Sequence, residues 1–213
     1  MKKIVALIMV VALLALALVS CDILPTKHTL AVGRVVTEKD GETVETVCAL
    51  VLEADGRIAF ARIDETQFTA GATSALSKKA LGYDYKMLEY SQYGDSPAVG
   101  EWFEQVEYLE RALIGKTREE ALAIETRSNE LVSGCTIAVE PYIAAIAAAF
   151  DSENKQEFDM NGDPSLSLTV ANEFIDGSFV SSVSASTIFR MKVAASIVEI
   201  NKVNIKPAAS DGQ

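Results

Sequence analysis

LAVGRVVTEKDGETVETVCALVLEADGRIAFARI, residues 30–63, contains three runs of strand-forming residues separated by two turn signals. Residues 30–36 and 44–53 are rich in Val and Leu, and Asp40-Gly41 falls between them. Asp55-Gly56 then precedes the alternating run 57–63. Asp-Gly between apolar runs favours a tight hairpin, because both residues tolerate positive φ. The simplest assembly is an antiparallel meander of three strands.

Working outward towards the C-terminus, the pattern weakens over 64–97, where Gly71, Gly82 and Gly94 and several Ser and Tyr residues predict loop with one short helix at 77–81. Helical spacing comes next. Val99, Trp102, Phe103, Val106, Leu109 and Leu113 fall on one stripe, so Trp102 reads as core, while Glu101, Glu104, Glu107 and Glu110 read as its wet face. Gly115 suits a helix stop, and Thr117 to Glu120 has the spacing of a capping box. Pro141 suits a first turn, and the helix it opens is predicted to run through Ile143, Ile146, Ala147 and Phe150, with an Ala-rich body that allows close packing. The polar stretch 151–164 reads as turns, and strands resume at 166–174, 180–189 and 192–203. Strands flanking a helical block predict an α+β fold, an antiparallel sheet with the central helices packed against it. Asp159, Asn161 and Asp163 have the opening spacing of a calcium loop. Gly162 precedes the motif's glycine position, however, and Val170 stands where its closing glutamate belongs.

Towards the N-terminus, Lys2-Lys3 precedes the apolar run 4–19, which ends at Leu18-Val19-Ser20-Cys21. This is the order of a secretory signal peptide, and its sixteen apolar residues fall short of the ~20 a spanning helix needs. The cysteine at the junction resembles the lipobox of bacterial lipoproteins, which implies lipidation of Cys21 and anchoring on the extracytoplasmic face of the membrane. The expected organisation is a signal peptide at 1–20, a tether at 21–28, one α+β domain at 29–205 and a disordered tail at 206–213. Loss of residues 1–20 removes two lysines, leaving 193 residues and a formal charge of −13. An acidic surface without a basic cluster argues against nucleic-acid partners. Membrane association would therefore come from the lipid. Cys48 and Cys135 are expected as free thiols, and His28, in the tether, as a solvated linker residue.

Glu130-Leu131-Val132-Ser133-Gly134-Cys135-Thr136 places small residues and hydroxyls in a turn ahead of the Pro141 helix. Backbone N–H groups there could receive an anion, with Gly134 allowing close approach; an ordinary loop and cap fits the same residues.

Residues 77–87, 100–105, 115–117 and 136–139 resemble a family of bacterial extracytoplasmic lipoproteins with an FMN-binding domain, over roughly residues 30–150. The resemblance implies a Ser-Gly-Ala-Thr motif whose threonine is esterified by the FMN phosphate. Ser133, Gly134 and Thr136 match it; Cys135 replaces the alanine, Glu130 the upstream aspartate, and Ala138-Val139 the following Thr-Ser. These departures count against the covalent link, while a noncovalent site would tolerate them. Ser133, Gly134, Cys135 and Thr136 are the cofactor-site expectation, with FMN as cofactor. Gly71-Ala72-Thr73 is a literal match in a glycine-rich loop and ranks behind it.

Two functions are compatible with these features. One is an extracytoplasmic flavin electron carrier with a redox protein partner. The other is a cofactor-free surface or ligand-binding module that presents the region of Tyr83, Tyr85, Tyr90 and Tyr93. Neither thiol has a nearby histidine in sequence, so a stand-alone hydrolytic enzyme has little support.

Overall fold

The computed structural model describes residues 26–39, 42–92, 97–160, 165–189 and 192–205. The expected signal peptide and lipidated Cys21, the Asp40-Gly41 turn, Tyr93, Asn161 and Asp163 of the calcium spacing, and the expected C-terminal tail lie outside them.

The predicted meander is present. Strand β1 (Thr26–Lys39) pairs with β2 (Glu42–Glu53), which pairs with β3 (Ile58–Phe68), all antiparallel. Gly56, at φ 85°, supplies the left-handed residue of the β2–β3 turn. Five α-helices come next among the described residues: α1 (Lys78–Leu81), α2 (Met87–Ser91), α3 (Trp102–Leu113), α4 (Arg118–Leu122) and α5 (Glu140–Asp151). A 3-10 turn, Gly82–Tyr85, joins α1 to α2. Strand β4 (Lys155–Met160) returns to β1, giving the sheet order β3-β2-β1-β4. The last three strands, β5 (Ser165–Ile175), β6 (Ser178–Phe189) and β7 (Lys192–Val203), form a second antiparallel sheet in that order. The fold is α+β, with helices against an antiparallel sheet as expected.

The second sheet covers the face of the first that the helices leave free, which produces three layers. β2 is an interior strand of the first sheet. Cys48, Leu50 and Leu52 pack with Trp102, Val106, Leu109 and Ile146 on the helical side. Val47, Ala49 and Val51 pack with Leu166, Val170, Val183 and Ile197 on the other. Its continuous apolar run results from burial on both faces, which removes the polar alternation of a half-exposed strand.

Helix α5 lies directly on β1. A Cβ at Gly33 would overlap the backbone of Ala145, Ala148 and Ala149, so the contact needs glycine on the strand. The helix lies where Pro141 placed it, its buried face is Tyr142, Ala145, Ile146 and Ala149, and its alanines allow the close packing. Gly33→Ala should cost about 1–3 kcal/mol by overpacking. Urea denaturation checks this, and an unchanged midpoint would mean that α5 does not press on the strand.

Other expectations need correction. The stretch 151–164, read as turns, contains β4; as an edge strand it buries only Phe158 and Met160, too few to signal in sequence. His28 lies in β1, buried and stacked on Phe158 at 5.6 Å, instead of in a solvated linker. Val99 precedes α3 and is exposed. Glu104 and Glu107 are exposed as predicted, but Glu101 and Glu110 are buried. Gly115 ends α3 in a left-handed conformation, and Thr117 and Glu120 form the expected capping box.

Candidate functional site

Strand β3 runs past the predicted Ile63 to Phe68, which adds Glu65 and Gln67 on the face that Ile63 directs at the helices. Glu65 thereby enters a buried position. Its Oε2 accepts from Thr46 Oγ1 on β2 at 3.3 Å, and its Oε1 pairs with Lys78 Nζ at 2.5 Å. Lys78 opens α1, whose start is fixed twice over. Ser77 forms an isolated β-bridge with Thr66, and its Oγ accepts from Ala80 N at 3.2 Å.

Two rings enclose the Lys78 ammonium. The Tyr85 centroid is 4.7 Å from Nζ and the Trp102 centroid 5.4 Å, both within cation–π range. Trp102 Nε1 donates to Tyr142 Oη at 2.9 Å, so α3 holds α5 at this point. Glu101 holds α2 in place, accepting from Met87 N at 2.7 Å and Leu88 N at 3.3 Å.

Above the pair lies a partly open pocket of about 270 Å³, walled by Met87, Trp102, Ile137, Ala138, Pro141 and Tyr142, with Gln67 and Thr37 at its edge. Burial alone would lower the Lys78 ammonium, but Glu65 and Tyr85 outweigh it and hold the group above its ordinary value. Lys78 is therefore charged at neutral pH. Burial raises the Tyr142 hydroxyl well above the usual range, so it remains a neutral hydrogen-bonding group. The pocket combines apolar walls, a few convergent polar atoms and ionisable groups whose pKa values are shifted, the usual make-up of a small-ligand site.

The expected anion turn is organised differently. Gly134 N and Cys135 N donate to Leu131 O at 2.9 and 2.7 Å, and Thr136 N donates to Gln105 Oε1 at 2.9 Å. Thr136 Oγ1 also donates to Gln105 Oε1, at 3.1 Å, and Ser133 Oγ bonds Tyr108 Oη at 2.7 Å. A Cβ at Gly134 would overlap the Tyr108 ring, so the missing side chain admits that ring. Cys135 is buried in the helical core, and Ile137, Ala138 and Val139 separate Thr136 from α5. With three successive N–H groups engaged internally and the glycine space filled, the residues present do not fit a phosphate cradle at 133–136. Thr73 is exposed in its loop.

Tyr85 lines the pocket, whereas Tyr83 and Tyr90 are exposed, Tyr83 resting edge-on against Phe103 at 5.0 Å. Cys48 and Cys135 are free and buried, and burial pushes both thiols up, which keeps them protonated and poor nucleophiles. No cluster of His, Cys, Asp and Glu among the described residues could hold a metal ion. Glu65 and Lys78 went unnoticed in the sequence. Glu65 has a signal, a carboxylate that continues the inward register of β3 through Ile63, Glu65 and Gln67, while Lys78 has none. Comparison with protein-family models, curated proteins and solved structures found no match for this chain.

Proposed function

We propose that this chain is a ligand-binding module, held on the extracytoplasmic face of a membrane by lipid on Cys21, with its binding site in the pocket above Glu65 and Lys78. The observation that carries the reading is the buried ion pair at the base of a partly open apolar pocket. Taking two charges out of water is a poor way to stabilise a fold, since well-packed apolar residues would do as well or better. Side chains that retain such a pair beside a cavity point to recognition. The lipid anchor rests on the order of residues 1–21.

Ala138 is exposed at the pocket wall, so Ala138→Trp should block the cavity without disturbing the core. Ligand-observed NMR with a mixture of small amines, alcohols and acids should give binding in the unmodified protein and none in the variant. The variant's stability should change by no more than about 0.5 kcal/mol, as for other surface substitutions. Equal binding in both proteins would place the site elsewhere.

The flavin-carrier reading requires FMN at Thr136. The engaged N–H groups and filled glycine space at 133–136 count against it, and only the partial exposure of Thr136, next in the chain to the pocket residue Ile137, favours it. Its test is fluorescence after denaturing electrophoresis of protein coexpressed with a flavin transferase. A flavin band lost in Thr136→Ala would establish it, and no bound or bindable FMN would remove it.

A further inference from the structure

Resting on the pocket as the binding site, we propose that its ligand is an organic ammonium ion and that Lys78 is a tethered occupant which this ligand displaces. The Lys78 ammonium already has the surroundings such a ligand would require: the Glu65 carboxylate at 2.5 Å, the Tyr85 ring at 4.7 Å and the Trp102 ring at 5.4 Å. Carboxylate and aromatic faces together are the chemistry that recognises ammonium groups.

The two partners of the ion pair differ in freedom to move. Glu65 sits within β3, a strand paired with β2 along its length, and its second oxygen is held by Thr46. Lys78 opens a helix of four residues, in a region between β3 and α3 whose described residues otherwise form loop, a 3-10 turn and the five-residue α2. A long flexible side chain on a short element can swing to water, but a strand carboxylate cannot follow it. An incoming anion would have to displace Glu65 from Lys78 and leave a buried carboxylate unpaired. An incoming cation has only to displace Lys78, whose ammonium regains water. Charge acts in the same direction, because a net −11, or −13 without residues 1–20, attracts cations and repels anions.

The chain's only tryptophan is part of the enclosure, so its emission reports occupancy. Lys78→Ala should bind n-butylammonium at least ten-fold more tightly than the unmodified protein does. It should also prefer that ion to n-butanol or butyrate, and lose the preference in Lys78→Ala/Glu65→Gln. In the unmodified protein, saturating tetramethylammonium should raise acetylation of Lys78 by acetic anhydride several-fold and leave exposed Lys86 unchanged; this arm stands even if Lys78→Ala does not fold. Equal binding of butanol and butylammonium, a preference for butyrate, or unaltered Lys78 acetylation would overturn the ammonium assignment while leaving a ligand pocket. Failure of every probe to saturate would overturn both the assignment and the pocket reading.

Discussion

Glu110→Ala is expected to lower the unfolding free energy by about 3 kcal/mol, the lower end of the usual loss when one member of a buried charge cluster is removed. Glu110 is buried on α3, where its Oε1 accepts from Ile63 N at 2.7 Å and from Lys79 Nζ at 2.5 Å. Its Oε2 accepts from Arg62 Nη1 at 3.2 Å. Alanine would strand a buried strand N–H and remove the countercharge of Lys79. Arg62 is half-exposed and can return to water, which moderates the loss. Glu110→Gln keeps an acceptor for Ile63 N and should lose less than half as much. Chemical denaturation of the two variants checks the pair. A loss below about 1 kcal/mol for alanine would put Glu110 on a wet face, where substitutions are mild.

Trp102→Ala should cost about 3–5 kcal/mol, the usual range for emptying a large aromatic site. The side chain is among the largest fully buried ones, and it joins three parts of the molecule. Its ring packs in the helical core, its Nε1 holds Tyr142 of α5, and its face covers the Lys78 ammonium. Trp102→Phe keeps most of the apolar contact and loses the hydrogen bond, so it should fall well short of the alanine loss. Equal losses would assign the stability to the indole N–H instead of the ring. A loss below about 1 kcal/mol for alanine would show that the ring is not part of the core.

The meander was legible because three properties coincide in 30–63: β-forming composition, turn residues at fixed places and run lengths suited to strands. What buries β2 on both faces was not legible, since its second cover arrives more than 100 residues later in the chain. Glu101 and Glu110 illustrate a different failure. At about 100° per residue, carboxylates spaced three apart drift round the helix, and nine residues amount to about half a turn out of phase. The four glutamates could never share a face: Glu104 and Glu107 take the wet side, Glu110 is carried round to the sheet, and Glu101, the extended residue that caps the helix, is buried by its bonds to α2. The same arithmetic separates Val99 from the core stripe only if the helix start is known, and that start is set by Glu101 and Glu104.

The turn at 133–136 was legible as a place where something approaches the backbone closely. A glycine announces close approach, but the identity of the approaching group is a tertiary fact, and here it is Tyr108 from α3. The pocket was illegible for the same reason: Glu65, Lys78, Tyr85, Trp102 and Tyr142 come from four helical or turn elements and one strand. Tyr85 came nearest to recognition, singled out in the sequence as part of a tyrosine-rich surface; only its neighbours turn it into a wall of a cation site.

Whether ligand enters the pocket above Glu65 and Lys78 can be seen in a crystal structure of the lipid-free domain, residues 22–213, soaked with n-butylammonium, n-butanol and butyrate in turn. Density for n-butylammonium is expected between Glu65, Tyr85 and Trp102, with the turn at 133–136 unchanged and still closed by Tyr108 and Gln105. Density confined to that turn, or an empty pocket in every soak, would refute the assignment of the ligand site.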